Sequence, residues 1–188
     1  DNDFGNYRLA TKSGVKYEDV NFSGDYEPGM DTLLANWTIY AYDDNGTTPG
    51  ELDAGDMLVA STLTDANGEY SFNLAPGDYI IVEELRSGWL QSEPTTDVNG
   101  GTLGRSENGY AISLVSGQDH TDNDFGNYRL ASKSGIKYED VNFSGDYEPG
   151  TDTLLANWTI YAYNDNGTTP GELDAGDTLV ASTLTDAN

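Results

Sequence analysis

Residues 64–85 read TDANGEYSFNLAPGDYIIVEEL, and that run decides the fold class. Asp65-Ala66-Asn67-Gly68 signals a hairpin turn, because both central residues of a type I′ turn take positive φ, which Asn and Gly tolerate. Tyr70–Asn73 follows as a short strand, Ala75-Pro76-Gly77 breaks it, and Tyr79–Leu85 is apolar enough for a central strand. Outward from there, Val15–Glu18, Trp37–Ala41, Leu58–Thr64, Trp89–Gln91, Tyr110–Leu114 and Asp124–Leu130 read as further strands, with Trp37, Ile39 and Ala41 on one face. Gly/Asn/Asp/Pro clusters separate them, and no stretch carries a 3.6-residue period. About seven or eight short strands imply an all-β, two-sheet antiparallel sandwich.

The opening DNDFGNYRLATKSG returns at Asp122 as DNDFGNYRLASKSG. At this offset of 121, residues 1–67 map onto 122–188 with five differences: Thr11/Ser132, Val15/Ile136, Met30/Thr151, Asp43/Asn164 and Met57/Thr178. Near-identical tandem copies are the mark of an array in which each unit contacts mainly its neighbours. Turn signals place a complete unit at residues 13–133. Residues 1–12 then read as the last strand of a preceding repeat, and 134–188 as the first half of a following one. Two origins for such ends stand side by side: a window on a longer repetitive chain, or open halves completed by neighbouring copies, head-to-tail or by strand exchange. Both lead to a polymer-like object.

Composition narrows the partners. Asp and Glu number 33 against 8 Lys and Arg, a formal charge of −25. That balance excludes a phosphate grip on nucleic acid and disfavours anionic membrane surfaces. No apolar run approaches a membrane span, and nothing reads as a signal peptide. Cysteine is absent and His120 is the single histidine, so neither disulfides nor imidazole chemistry is on offer. Glu83 and Glu84 are adjacent on a strand, point to opposite faces and cannot flank one glycosidic bond. The reading is not an enzyme.

The strings SGVKYEDVNFSGDYEPG, NWTIYAY, DDNGTTPGELDAGD, TDANGEYSFNLAPGDYIIVEE and SGW, closed by DFGNY, resemble the SdrD B-like domains of bacterial surface proteins. Those domains are related to the collagen-adhesin (Cna) B-type modules. The resemblance covers nearly all of residues 13–133. It implies an antiparallel Greek-key β-sandwich, prealbumin- or immunoglobulin-like, in tandem repeats of about 121 residues. It further implies an extracellular setting, secreted or on a bacterial or archaeal surface, and a calcium-stabilised rigid spacer or filament building block. The alternative is a ligand-binding adhesin module for a host protein or glycan, which would gather exposed aromatics in one loop region.

Two acidic loops carry the Ca²⁺ expectation. Asp19, Asn21, Ser23, Asp25 and Glu27 place oxygens at alternate positions with Gly24 sixth, a spacing that suits a hard cation taking six to eight oxygens. Met30 occupies the twelfth place, and Asp31 stands next to it as a substitute ligand. In the second loop Asp43, Asn45, Asp53 and Asp56 are the candidates, with two extra residues disturbing the front half. The copies add Asp140, Asn142, Ser144, Asp146, Glu148 and Asp152, then Asp174 and Asp177. Crowded carboxylates repel, and a divalent ion relieves that strain more than monovalent screening does.

Cna B-type modules use a Glu in a YxLxE context to promote a Lys–Asn isopeptide bond between first and last strands. Here the resemblance offers Glu83, with Lys16 and Asn127 as partners. The calcium-dependent B modules generally lack that bond, and Lys16-Tyr-Glu-Asp19 follows their pattern, so the reading is a surface lysine and a strand-end glutamate. Sequons offer glycosylation at Asn36, Asn45, Asn157 and Asn166, while Asn21 and Asn142 are wanted as ion ligands. Trp37 and Trp89 are read as core and His120 as solvated.

Overall fold

A computed structural model describes residues 2–187. The chain divides into two compact units, Asp1–Ala131 and Ser132–Asn188. Asp1 and Asn188, which end the segments expected at 1–12 and 134–188, lie outside the described residues.

The first unit is built of β1 (Ala10–Glu18), β2 (Thr32–Leu33), β3 (Thr38–Asp43), β4 (Met57–Leu63), β5 (Glu69–Leu74), β6 (Gly77–Glu83), β7 (Leu90–Glu93), β8 (Tyr110–Leu114), β9 (Asp119–His120) and β10 (Phe125–Tyr128). One sheet runs β4-β3-β6-β8, and the other runs β2-β1-β10-β7 with β5 and β9 paired to the N-terminal half of β1. The all-β sandwich expected from the turn and strand signals is the fold. On β5, Tyr70, Phe72 and Leu74 are buried while Glu69, Ser71 and Asn73 face water, so the period of two sets which face packs inward. These rings join Ala10, Trp37, Ile39, Ala41, Ile81 and Phe125 in the core between the sheets. The central strand β6 is buried on both faces: Ile80 and Val82 pack outward against Tyr42, Leu52 and Val98, under the long loops. Each fully buried Ile or Val contributes roughly 1.5–3 kcal/mol.

Three details differ from the sequence reading. First, β1 begins at Ala10, because Ala10–Lys12 pair with Phe72–Leu74 of β5 rather than standing outside the unit. Second, the sheets are not wholly antiparallel: β10 and β9 both run parallel to β1. Third, Asp65–Gly68 does not close a hairpin, since β4 and β5 lie in different sheets. Of the Asn67-Gly68 pair, Gly68 takes positive φ and Asn67 does not. The Asp65 carboxylate instead accepts from the N–H groups of Asn67 and Glu69 at 2.8 and 3.0 Å, turning the chain from one sheet to the other.

The long β1 changes partners along its length, Ala10–Val15 pairing with β5 and Lys16–Glu18 with β10, and Gly14 lies in the first of these stretches. A Cβ there would run into the Asn123 carbonyl oxygen and lie 2.8 Å from the Tyr70 ring, so only glycine fits.

In the second unit β11 (Tyr138–Glu139) pairs with β12 (Thr153–Leu154), and β13 (Thr159–Asn164) with β14 (Thr178–Leu184). Both pairs are antiparallel. Every residue of β13 and β14 is exposed.

Candidate functional site

Register brings three distant residues together inside the first unit. β1 and β10 align Lys16 with Phe125 and Glu18 with Asn127. β6 ends at Glu83, opposite Ile39 of β3 on the facing sheet. Lys16 is 0%, Glu83 1% and Asn127 5% exposed, which overturns the expectation of a surface lysine. Lys16 lies on the same face of β1 as Ala10 and Lys12, the face turned inward, and a residue's side of the strand decides its fate more strongly than its charge.

The Lys16 ammonium donates to Asn127 Oδ1 at 2.5 Å and to the Phe125 carbonyl at 2.9 Å. Its Nζ lies 3.2 Å from Glu83 Oε2, out of line for a hydrogen bond, so that oxygen is a buried acceptor without an aligned donor. The Trp37 ring covers the group, 4.6 Å from Nζ to its centroid. Trp37 is held in turn by its indole N–H donating to the Glu84 carbonyl at 2.9 Å and by edge contact with Trp89 at 5.5 Å. Both tryptophans pack as expected of core.

Burial dominates the electrostatics. It lowers the Lys16 pKa to about 8, with the Glu83 carboxylate opposing the shift. It pushes Glu83 up to about 7, with the Lys16 ammonium and the Asn127 side chain opposing. Both shifts favour the uncharged forms, a free amine beside a protonated carboxyl. A neutral amine is a nucleophile and an ammonium is not, and here the amine faces a primary carboxamide in a dry pocket.

The acidic loops are arranged differently. Asp19 accepts from the N–H groups of Ser23 and Gly24 at 3.0 and 2.9 Å, and Asp31 from Val20 and Glu27 at 3.1 and 2.7 Å. Asn21 donates to Glu27 at 2.7 Å, and the Ser23 hydroxyl donates to the Asp25 carbonyl. In the second loop Asp56 accepts from Asn45, Gly46 and Asp53, Asp53 accepts from Thr47, Thr48 and Gly55, and Asn45 donates to Asp43. Asp140, Asn142, Ser144, Asp146, Glu148, Asp152, Asp174 and Asp177 repeat these bonds in the second unit. The oxygens are of the kind calcium takes, but they are turned onto main-chain donors. Among the described residues no three acidic or imidazole side chains gather into a cage.

Asn36 is exposed with φ at 59°, and Asn45, Asn157 and Asn166 are exposed too. His120 is half-buried beside Lys12 rather than solvated, with Nδ1 enclosed. Sequence reasoning missed Lys12, fully buried over the Tyr70 ring with its pKa lowered to about 8 by burial. It also missed Tyr17, whose hydroxyl donates to Glu93 at 2.6 Å. The signal for Lys12 was its even-position phase with Ala10 and Lys16.

No family model matches the chain, so the SdrD B-like resemblance stands on its motifs alone. Colossin-C of Dictyostelium discoideum is 33% identical over 96 residues, covering 50% of this chain and 9% of that protein. Solved structures overlap more loosely. A shaft pilin SpaA variant from Lactobacillus rhamnosus GG gives a TM-score of 0.44 at 10% identity, covering 94% of this chain and 75% of that one. The Bacillus anthracis TIE protein gives 0.42 at 16%, covering 95% and 25%. The major pilin SpaD of Corynebacterium diphtheriae gives 0.40 at 13%, covering 65% and 32%. Among the described residues no helix is long and apolar enough to cross a membrane.

Proposed function

We propose that the chain is a structural module of an extracellular surface protein or fibre, and that its complete unit locks itself by an isopeptide bond from Lys16 to Asn127. The observation that carries the reading is the buried contact of Lys16 with both Asn127 and Glu83. Glu83 takes the Lys16 proton, and the free Nζ attacks Cγ of Asn127. The protonated Glu83 steadies the developing oxyanion and passes its proton to Nδ2. Glu83 then takes the second Nζ proton as the Cγ–Nδ2 bond breaks, so ammonia leaves, an Nζ–Cγ amide remains and Glu83 ends protonated. No oxidant or cofactor is consumed. Trp37 and Phe125 keep water from the pocket.

Intact-mass measurement tests this. The wild-type chain is expected to be lighter than its sequence by one ammonia, and Glu83→Gln to keep the full mass. Full mass in the folded wild type overturns the bond. The pH dependence follows from the two shifts. The reactive pair holds one proton, placed on Glu83, and is most populated between about 7 and 8. Chain recovered unfolded from inclusion bodies and refolded across pH should therefore release ammonia fastest near that window. Below it the amine stays protonated, and above it the carboxyl is ionised.

Calcium in the loop from Asp19 to Asp31 belongs to the same reading as a separate proposal, supported by the alternate oxygens of Asp19, Asn21, Ser23 and Asp25. A melt with and without chelator tests it, and an unchanged midpoint removes it. Between spacer and adhesin, the exposed aromatics of the first unit favour the spacer: Phe4 and Tyr7 lie in the segment before β1 and Phe22 in the loop after it, not in one loop.

A further inference from the structure

The turn that follows β6 carries Arg86 and Trp89, and both reach Trp37, the ring over the Lys16 amine. Gly88 takes a φ of 85° and lets the turn close, with the Trp89 N–H donating to the Arg86 carbonyl at 3.2 Å. From this turn Trp89 meets the Trp37 ring edge-on, and the Arg86 guanidinium carbon lies 4.4 Å from the Trp37 centroid. Lys16 Nζ lies 4.6 Å from the same centroid. Two cations therefore share one ring. Lys16 is fully buried while the Arg86 side chain is 33% exposed, so the arginine is the outer of the two.

Arg86 is fastened where it lies. Its Nη2 and Nε donate to Glu84 Oε2 at 3.0 and 3.4 Å, and Nη2 donates also to the Asn36 carbonyl. The same Glu84 oxygen accepts from the Thr38 hydroxyl at 2.9 Å and from the Thr38 N–H at 3.3 Å. Asn36 and Thr38 flank Trp37 in the chain, so the guanidinium is tied on both sides of the ring it covers. Successive residues of a strand face opposite ways, and the two adjacent carboxylates divide accordingly: Glu83 turns inward to Lys16 and Glu84 outward to Arg86. Arginine suits this place because its plane stacks on an indole while its edge hydrogen-bonds, and lysine has no such plane.

We propose that Arg86 is a positioning residue for the Lys16–Asn127 bond, holding Trp37 closed over the amine from the solvent side. The inference rests on the crosslink reading and gives it a residue that touches none of the reacting atoms. Two effects follow from the placement. The stack keeps the ring from swinging away and admitting water, which would solvate the ammonium and hold its proton in place. The fixed charge acts as well. Burial is the main cause of both shifts in the pair, lowering Lys16 and raising Glu83, and the Arg86 guanidinium adds a smaller lowering to each. The other charges acting on Lys16 are Glu83 from β6 and Glu93 from β7, and both raise it. Without Arg86 the two members of the pair hold their protons more tightly, so the window in which they share one proton moves to higher pH.

The test follows ammonia loss by intact mass while the full chain refolds across pH, with circular dichroism reporting that each variant has folded. Arg86→Met keeps an apolar stem and removes both plane and charge. Its release is expected to slow by roughly 2- to 30-fold, what one cation–π contact is worth, and its optimum to move to higher pH. Arg86→Lys keeps the charge without the plane, so it should slow while its optimum stays at the wild-type pH. An Arg86→Met with wild-type rate and optimum overturns the proposal. So does one that slows with an unmoved optimum, the mark of a general loss of packing. If Arg86→Met does not fold, Glu84→Gln unties the guanidinium and keeps its charge: slower release is expected, and release at the wild-type rate overturns the proposal. A wild type that keeps its full mass at every pH removes the crosslink and this role with it, whereas a crosslinking wild type matched by Arg86→Met removes this role alone.

Discussion

The hairpin β3–β4 and the hairpin β13–β14 are the same sequence but for two residues, and they fold alike and end differently. Thr38 pairs with Leu63 and Thr159 with Leu184, and both ladders shift register at the same place, after Ala41 and after Ala162. Their loops match as well: Asp53 accepts from the Thr47 N–H at 2.7 Å, and Asp174 from the Thr168 N–H at 2.8 Å. Yet Trp37 is 1% exposed and Trp158 52%, Ile39 0% and Ile160 46%. The ladder, bulge and loop are therefore written locally, while the core is written by residues 69–128. β1 shows the boundary between the two. Ala10–Lys16 is a strand because β5 and β9 pair with it, and residues 132–137, nearly the same sequence, form none.

The largest expected break in that comparison is at the paired lysines. Lys16→Met removes a tie across 111 residues of sequence. The chain-entropy estimate for a crosslink closing about 100 residues is about 4–5 kcal/mol, which denaturant unfolding of the first unit should show as lost. Lys137→Met should leave unfolding of the first unit unchanged, since the Lys137 side chain touches Trp158 and the Tyr138 carbonyl within the second unit. Equal effects at the two lysines would mean that the buried triad contributes no special stability.

Glycine gives a smaller contrast. Gly14→Ala forces a methyl into Asn123 and Tyr70 and should cost about 1–3 kcal/mol, the range for overpacking. Gly135, its counterpart, has nothing within 4 Å of an added Cβ, and Gly135→Ala should be silent by the same measurement. A silent Gly14→Ala would show that β1 has room beside Asn123 that the structure does not display.

The smallest effect should be common to both units. The N–H groups of the second loop hold Asp53 down at about 2 and lower Asp174 in the same way. A carboxylate with a depressed folded pKa supports the loop above its ordinary value and loses that support as pH falls through the folded one. Amide exchange at Thr47 and Thr168 should therefore rise together as pH drops toward 2, after correction for intrinsic exchange. A rise in only one would mean that burial, not the loop, sets the carboxylate.

These contrasts also explain what could be read from the sequence. The period of two at Trp37, Ile39 and Ala41 and the apolar run of β6 announced buried strands, because a strand's inward face is a local property. Lys16 was misread because its burial depends on Glu83 and Asn127, which meet it only through the register of three strands in two sheets. The Asp65–Gly68 corner was misread for a related reason: its residues state that the chain turns, but which sheet receives it is decided by the apolar face of β5. The acidic loops were legible as turns, and their main-chain donors were invisible to a count of oxygens.

The parallel pairing of β1 with β10 has a consequence for force. The chain enters β1 at Ala10 and leaves β10 at Tyr128, at opposite ends of two strands running the same way. Pulling on the flanking chain therefore slides the strands along each other, loading their hydrogen bonds in shear and together, where a hairpin pulled from one end would unzip bond by bond. The Lys16–Asn127 contact lies inside that short overlap. With an amide there, tension would cross from first strand to last through a single covalent link, and the sandwich folded between them would carry none of it.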